Sequence, residues 1–251
     1  MESPVLAARM TNLIGSPIEK AFALLPENWA QRVQSATRTA LTGALHVAIN
    51  TLGTGGKSKP RNFRHKLAVA VTGGIGGAFG LLTLPIELPV STTIMLRSIG
   101  EIARNEGEDL SSVEARLACI EVFALGGTPK VVDAPEVTYF AVRAALARTV
   151  AEAAEYIAQK GIVEEASPVL VRLLAIIGVR FGVVVGEKVA AIAIPIAGAA
   201  GGAVINTLFM DHFQNMAHGH FAVRRLERIY GEAEVRKQYE LAKAKSEAKG
   251  K

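Results

Sequence analysis

Apolar and polar positions recur along much of this chain with the 3.6-residue period of an α-helix. The clearest run extends from Glu27 to Leu52 and ends at Gly53. Serine–proline pairs, which favour the first turn of a helix, occur at residues 16–17 and 167–168, and a capping-box pattern spans Ser111–Glu114. Glycines that favour helix ends follow several runs, at Gly107, Gly126, Gly127 and Gly161. These signals predict an all-α protein of about eight to ten helices.

An apolar, glycine-rich segment covers residues 67–96, where Glu87 is the single formal charge. Five glycines fall between Gly73 and Gly80, although glycine inside a helix costs roughly 1 kcal/mol relative to alanine. Their spacing is compatible with a phosphate-binding turn after a strand or with a helix that has one smooth face. Pro85 and Pro89 occur where the helix of a dinucleotide-binding unit should continue, and no second strand follows. The pattern therefore favours the helix.

Glycines with the same i,i+4 spacing recur in two later segments. Gly178, Gly182 and Gly186 form an unbroken GxxxGxxxG run, and Gly198 and Gly202 repeat the spacing. Small residues at this spacing let helix backbones approach closely. The sequence thus predicts a single multi-helix bundle with glycine-faced, highly apolar central helices. Residues 1–231 would form this domain, and the charged residues 232–251 would form a C-terminal helix or tail.

The composition bears on whether the chain crosses a membrane. Half of the residues are apolar, mean hydropathy is +0.29 and aromatic residues make up 6%, which favours closely packed helices. Leu67–Ile86 and Val189–Met210 carry no charge and are each long enough to span a bilayer. Much of both segments is Ala, Gly and Thr, which contribute little insertion free energy. We therefore expect a cytoplasmic, peripherally membrane-associated protein, and an integral membrane protein is the open alternative.

Basic residues crowd the ten positions directly before the apolar segment, at Lys57, Lys59, Arg61, Arg64 and Lys66. They fit either a solvated loop or a contact with anionic lipid headgroups, where each basic side chain contributes about 1 kcal/mol. A nucleic-acid surface would need interleaved aromatic side chains, and Phe63 is the one aromatic residue in this stretch. We predict a membrane surface as a partner and no nucleic acid.

The densest group of polar side chains lies between Asp211 and His220. On a helix, Asp211, Asn215 and His218 would share a face that could hold a divalent metal. HExxH and CxxC patterns are absent and no second cluster offers a partner, so ordinary helix-terminal histidines are the simpler interpretation. The alternative hypothesis is a hydrolase, with or without a metal, that uses Asp211, His218 and His220 together with Glu87.

Two further residues have special chemistry. Glu87 is the one carboxylate in an apolar setting, and because a buried charge is usually paired, Arg97 is its predicted partner. Cys119, the single cysteine, excludes an internal disulfide and fits a reducing compartment. It lies on an apolar helix face without a nearby histidine, which predicts a core residue.

Several of these segments resemble the EcsC protein family. The likeness rests on Gly73–Gly80, Leu84–Pro89, Leu96–Ala103, Gly107–Leu110 with Arg116, Gly201–Asn206, Phe221, Arg225-Leu226 and Tyr230-Gly231. It covers roughly residues 60–231, with Glu87 where an aspartate is expected and Glu106 where a tyrosine is expected. The resemblance implies a bacterial protein near a membrane, in a family named for a gene beside an ABC-type exporter. It implies no mechanism.

The function that we expect is binding of lipid or acyl chains between apolar helices by a non-enzymatic, membrane-associated protein. Besides the hydrolase, a structural partner of an ABC-type transporter is an alternative. We expect no cofactor and no metal. The predicted ligand-binding residues are Glu87, Arg97, Asn206, Gly73, Gly77, Gly178 and Gly182.

Overall fold

The structure is a computed structural model that describes residues 6–15, 18–54, 82–127, 139–161, 167–194 and 198–249. Within these ranges the chain forms α-helices, one 3-10 helix at Leu52–Thr54 and no β-strand, which confirms the all-α prediction. The helices are α1 (Leu6–Ile14), α2 (Ile18–Phe22), α3 (Trp29–Thr51), α4 (Leu84–Asn105), α5 (Val113–Leu125), α6 (Tyr139–Lys160), α7 (Pro168–Ala193), α8 (Gly198–Tyr230) and α9 (Glu232–Lys249).

Helix α7 packs against α1, α2, α3, α5, α6 and α8. Its buried side chains recur every three or four residues, at Leu170, Leu173, Ile177, Phe181 and Val184. The ring of Phe181 lies 4.9 Å from that of Phe123 in α5 and 5.5 Å from that of Phe213 in α8. These fully buried aromatic rings join three helices in one core. Cys119 is also buried there, as predicted.

Local signals in the sequence set the helix boundaries. The Ser112 side chain accepts a hydrogen bond from the Ala115 N–H at 3.1 Å, so Ser112 is the N-cap of α5. Gly107 follows α4 with φ +86° and Gly161 follows α6 with φ +68°. Glycine reaches this left-handed region without a steric cost, which is why both helices end where the sequence predicts.

The glycine run of α7 contacts side chains, not another helix backbone. A Cβ atom at Gly178 would lie 3.6 Å from Leu41 of α3, and one at Gly186 would lie 3.4 Å from Trp29. A Cβ atom at Gly182 would meet nothing within 4 Å. The expected backbone-to-backbone approach along this run is therefore wrong. It occurs instead at Gly127, where a Cβ atom would overlap the carbonyl oxygen of Arg180 and lie 2.8 Å from its carbon.

We expect Gly127→Ala to destabilise the protein by about 1–3 kcal/mol, because the added methyl group forces the segment after α5 away from α7. Gly182→Ala is the matched control. It should be neutral or stabilising by up to about 1 kcal/mol, since alanine favours a helix more than glycine does. Urea denaturation followed by circular dichroism measures both. Equal effects of the two substitutions would show that Gly127 is not a tight contact.

The apolar segment Val189–Met210 does not form one continuous helix. Helix α7 ends at Ala193, Ile194 is extended with φ −79° and ψ 125°, and α8 begins at Gly198. By length and composition α7 itself could cross a membrane, with a mean hydropathy of 2.2 over its most apolar window. The core helix of a soluble protein passes the same test. Helix α7 packs on other helices, but less than half of this window is buried, and Val171 and Val179 are exposed. Most of Leu67–Ile86 lies outside the described residues.

The charged C-terminal segment is a helix that folds back onto the bundle. Gly231, with φ +84°, separates α8 from α9, and α9 packs against α8. The Tyr239 ring lies 5.2 Å from the Phe140 ring and 6.0 Å from the Tyr139 ring at the start of α6. Helix α9 thereby forms one wall of a cleft between α5, α6 and α8.

Candidate functional site

A buried ion pair joins three helices where α4 begins. Lys188 of α7 donates hydrogen bonds to both carboxylate oxygens of Glu87 in the first turn of α4, at 2.8 and 2.9 Å. The side-chain amide of Asn206 in α8 donates another to Glu87 Oε1 at 3.0 Å. Lys188 is 0% exposed and the Glu87 side chain 8% exposed. The carboxylate is therefore held by a cation and an amide away from bulk water.

The surroundings of this ion pair favour both charges. Glu87 occupies the first turn of α4, where the partial positive charge of a helix N-terminus stabilises a carboxylate. The Lys188 ammonium lies 4.9 Å from the centroid of the Phe209 ring, within the range of a cation–π contact. Asn206 and Phe209 are three residues apart on α8 and so face the same side. One face of α8 thus contributes both the amide and the ring.

Arg97 is not the partner of Glu87, and this prediction is wrong. The ten residues between them on α4 correspond to about 15 Å along the helix axis, and Arg97 is exposed. A rigid helix cannot bring its own side chains together over that distance. Lys188 is 101 residues from Glu87 in the chain, and only tertiary folding places it there.

The other predicted ligand-binding residues divide into three groups. Glu87 and Asn206 meet in the buried cluster. Gly178 and Gly182 lie on α7 about 15 and 9 Å along the helix axis from Lys188, and neither belongs to the cluster. Gly73 and Gly77 lie outside the described residues, as do the predicted membrane-surface residues Lys57, Lys59, Arg61, Arg64 and Lys66.

An apolar stripe is exposed beside this cluster at the start of α4. Leu82 is 74%, Ile86 76% and Val90 44% exposed. Ile86 and Val90 are four residues apart and so lie on one side of the helix, Leu82 comes two residues before its start, and Glu87 and Leu88 turn inward. Large apolar side chains that are exposed together commonly mark a surface for a membrane or another apolar partner.

The polar residues of α8 point to different neighbours and do not converge. Asp211 forms an ion pair with Arg9 of α1 at 3.6 Å, and His212 Nε2 lies 2.8 Å from the Gly126 carbonyl oxygen. His218 is exposed, whereas His220 Nδ1 lies 2.9 Å from the Tyr139 hydroxyl. Burial lowers the pKa of His212 and of His220. Among the described residues no three His, Cys, Asp or Glu side chains are close enough to hold a metal ion.

A charged cleft of about 330 Å³ lies between α5, α6, the end of α8 and the start of α9. This volume is at the lower end of the range for small-molecule sites. Its apolar side is formed mainly by alanines of α5 and α6, and its polar side by glutamates and arginines. The lining residues are Glu114, Ala118, Glu121, Phe140, Arg143, Ala144, Ala147, Val150, Arg224, Glu227, Glu232 and Arg236.

Two arginines of this cleft are already bound by carboxylates. Arg143 donates to both oxygens of Glu227, at 2.7 and 3.0 Å. Arg224 donates to both oxygens of Glu108, at 2.9 and 3.0 Å. Burial by itself would raise the pKa of Glu108, but hydrogen bonds from Arg224 and Arg228 hold it below its usual range. Both guanidinium groups are therefore largely neutralised within the protein.

Glu121 is different, because it makes no hydrogen bond or ion pair within the described part of the chain. Burial raises its pKa to about 7, although the positive charges of Arg224 and Arg143 oppose the shift. The prediction that Glu87 is the one carboxylate in an apolar setting is therefore wrong. The sequence contains a signal for the second, since Glu121 is the only charge in the apolar run from Leu117 to Leu125. The cleft as a whole has no such signal, because its charges come from four helices.

Comparison with known proteins agrees with the resemblance noted in the sequence. The model of the EcsC protein family matches residues 1–226, a longer range than the glycine-rich motifs alone cover. No curated protein and no solved structure matches the chain.

Proposed function

We propose that this protein, which belongs to the EcsC protein family, is a non-enzymatic, peripheral membrane protein of the cytoplasm that binds lipid acyl chains where α4 begins. The observation that carries the proposal is the exposed apolar stripe of Leu82, Ile86 and Val90. Transfer of such side chains from water into hydrocarbon is worth about 1.5–3 kcal/mol each when burial is complete. The stripe therefore supplies a substantial driving force for shallow insertion.

The order of segments in the sequence also supports the start of α4 as the lipid-binding end of the molecule. The basic residues between Lys57 and Lys66 precede the apolar residues 67–81, which lead directly into the stripe. Several basic side chains near an anionic leaflet contribute about 1 kcal/mol each. Apolar insertion combined with basic headgroup contacts is the usual composition of a reversible membrane anchor.

In this proposal, the buried ion pair holds the apolar stripe in position. Lys188 and Asn206 hold Glu87 from α7 and α8, and Glu87 follows Ile86 directly in the chain. In some proteins a buried charge that is bound from two sides selects one arrangement of the helix that carries it. We infer that the cluster sets the direction in which Ile86 and its neighbours face.

The test is sedimentation of the purified full chain with vesicles of neutral phosphatidylcholine and with vesicles that also contain an anionic phospholipid. We expect binding to the anionic vesicles. Ile86→Asp should weaken it at least tenfold, because a carboxylate replaces an inserted apolar side chain. The residue is 76% exposed, so the substitution should leave the folded structure intact.

Ile229→Asp is the matched control, since Ile229 is 63% exposed near the other end of α8. It lies about 35 Å along the helix from Asn206, and its substitution should leave vesicle binding within about twofold. Negligible binding of the unaltered protein to both kinds of vesicle, with no lipid in its native mass spectrum, would reject the proposal. Equal losses of vesicle binding in Ile86→Asp and Ile229→Asp would reject the assignment of the lipid-binding site to α4.

A further inference from the structure

We propose that the cleft between α5, α6, α8 and α9 binds an aliphatic diamine or polyamine, with one ammonium group at Glu121 and another at Glu114. This site is separate from the apolar stripe of α4. It differs also in chemistry, because its ligand is a small cation with an apolar middle.

The charges of the cleft favour a cation. Arg143 and Arg224 are each bound by a carboxylate through two hydrogen bonds. Glu114, Glu121 and Glu232 make no ion pair within the described residues. The guanidinium of Arg236 lies over the Phe140 ring, 5.7 Å from its centroid. The cleft thus contains more uncompensated negative than positive charge, although the whole chain has a net charge of +5.

The geometry favours a cation with two separated charges. Glu114 and Glu121 are seven residues apart, so they share one face of α5 with about 10 Å between them along the axis. Ala118 lies between them on the same face, and Ala144 and Ala147 of α6 also line the cleft. A chain of about four methylene groups with an ammonium at each end can cross this alanine surface and donate hydrogen bonds to both carboxylates.

A divalent metal ion would fit less well. Ca²⁺ and Mg²⁺ need several oxygen ligands within about 2–2.6 Å of one point. Among the residues that the structure describes, no group of three acidic, histidine or cysteine side chains meets this requirement. Two carboxylates at opposite ends of an apolar surface are instead complementary to a ligand that carries two positive charges separated by an apolar chain.

The buried position of Glu121 makes its protonation part of the binding equilibrium. The ionisable groups around it are Glu114 on α5, Tyr139 and Arg143 on α6, Arg224 and Glu227 on α8, and Glu232 and Arg236 on α9. Because burial raises the pKa of Glu121 to about 7, a diamine that binds below this pH must displace its proton. Binding should tighten by about tenfold between pH 6 and pH 8.

Isothermal titration calorimetry of the full chain with 1,4-diaminobutane and with spermidine tests the proposal. Saturable binding at one site is expected, and butylamine, with a single ammonium, should bind at least tenfold more weakly than 1,4-diaminobutane. Titration near pH 6.5 in buffers of different ionisation enthalpy should show release of a proton on binding. A residue with a purely structural role would not produce that release.

Glu121→Gln should weaken diamine binding at pH 8 by at least tenfold and abolish the proton release. Glu114→Gln, at an exposed position where folding is not at risk, should also weaken it severalfold. Glu240→Gln is the control, because Glu240 is exposed on α9 and does not line the cleft. Absence of saturable binding, equal affinity for butylamine, or an equal loss in Glu240→Gln would overturn the proposal.

Discussion

Lys188→Met is expected to lower the free energy of unfolding by about 3–5 kcal/mol, the usual result of removing one partner from a buried ion pair. Glu87 would remain 8% exposed with its negative charge and only the Asn206 amide as a hydrogen-bond donor from this cluster. For a chain of this size the change corresponds to a fall in Tm of about 10 °C. Urea and thermal denaturation, followed by circular dichroism, measure both quantities.

Two further variants separate the charge effect from the loss of packing. Glu87→Gln added to Lys188→Met removes the unpaired charge and keeps an acceptor for Asn206, so it should recover much of the lost stability. Lys237→Met, at an exposed position of α9, should change stability by less than about 0.5 kcal/mol. If the double variant were no more stable than Lys188→Met, the buried charge would not be the cause.

The second large effect concerns Glu121 and pH. Its pKa is about 7 in the folded protein and 4.5 without burial, so the folded state binds the extra proton between these values. Stability contributed by the neutral carboxyl is complete below pH 4.5 and is lost as pH rises through 7. Through this difference in pKa, Glu121 should lower the free energy of unfolding by about 3 kcal/mol between pH 4.5 and pH 8.

Glu121→Gln removes this titration and should therefore be more stable than the unaltered protein at pH 8 by up to about 3 kcal/mol, with little difference near pH 4.5. Urea denaturation at a series of pH values measures the difference. His212 and His220 also titrate, but they are present in both proteins and cancel in the comparison. A difference that does not change with pH would show that Glu121 has an ordinary pKa.

A buried carboxylate without a partner in the described residues reduces stability, which fits a site shaped for a ligand. At pH 8 a bound diamine should supply the missing positive charge and raise the free energy of unfolding of the unaltered protein. The same diamine should have little effect on Glu121→Gln. The stability measurements and the calorimetry therefore test the cleft by independent observables.

The helix boundaries could be predicted from the sequence because their causes are local. Ser112 caps α5 by a bond to a residue three positions away, and Gly107 and Gly161 end helices through their own backbone conformation. The cap position differs by one residue from the predicted box at Ser111. Such contacts involve neighbours in the chain, so their residue types alone reveal them.

The glycine run of α7 predicted a close backbone approach along that helix, and this prediction is wrong. Small residues at i,i+4 spacing permit a backbone contact, but they do not determine which neighbour covers them. In this bundle Leu41 and Trp29 cover Gly178 and Gly186, while Gly127 receives the backbone of α7. Which residue packs on a glycine depends on how the helices cross. The spacing of residues within one helix contains no information about that crossing.

Sequence by itself determined that the chain is a bundle of apolar helices, where most of them end, and that Glu87 needs a partner in an apolar environment. Only the tertiary structure decided that Lys188 and Asn206 are its partners and that Glu121 faces a cleft of charges from four helices. The physical reason is the separation along the chain over which each interaction acts. Helix periodicity and capping act over a few residues, whereas charge pairing and burial depend on which distant helices come together.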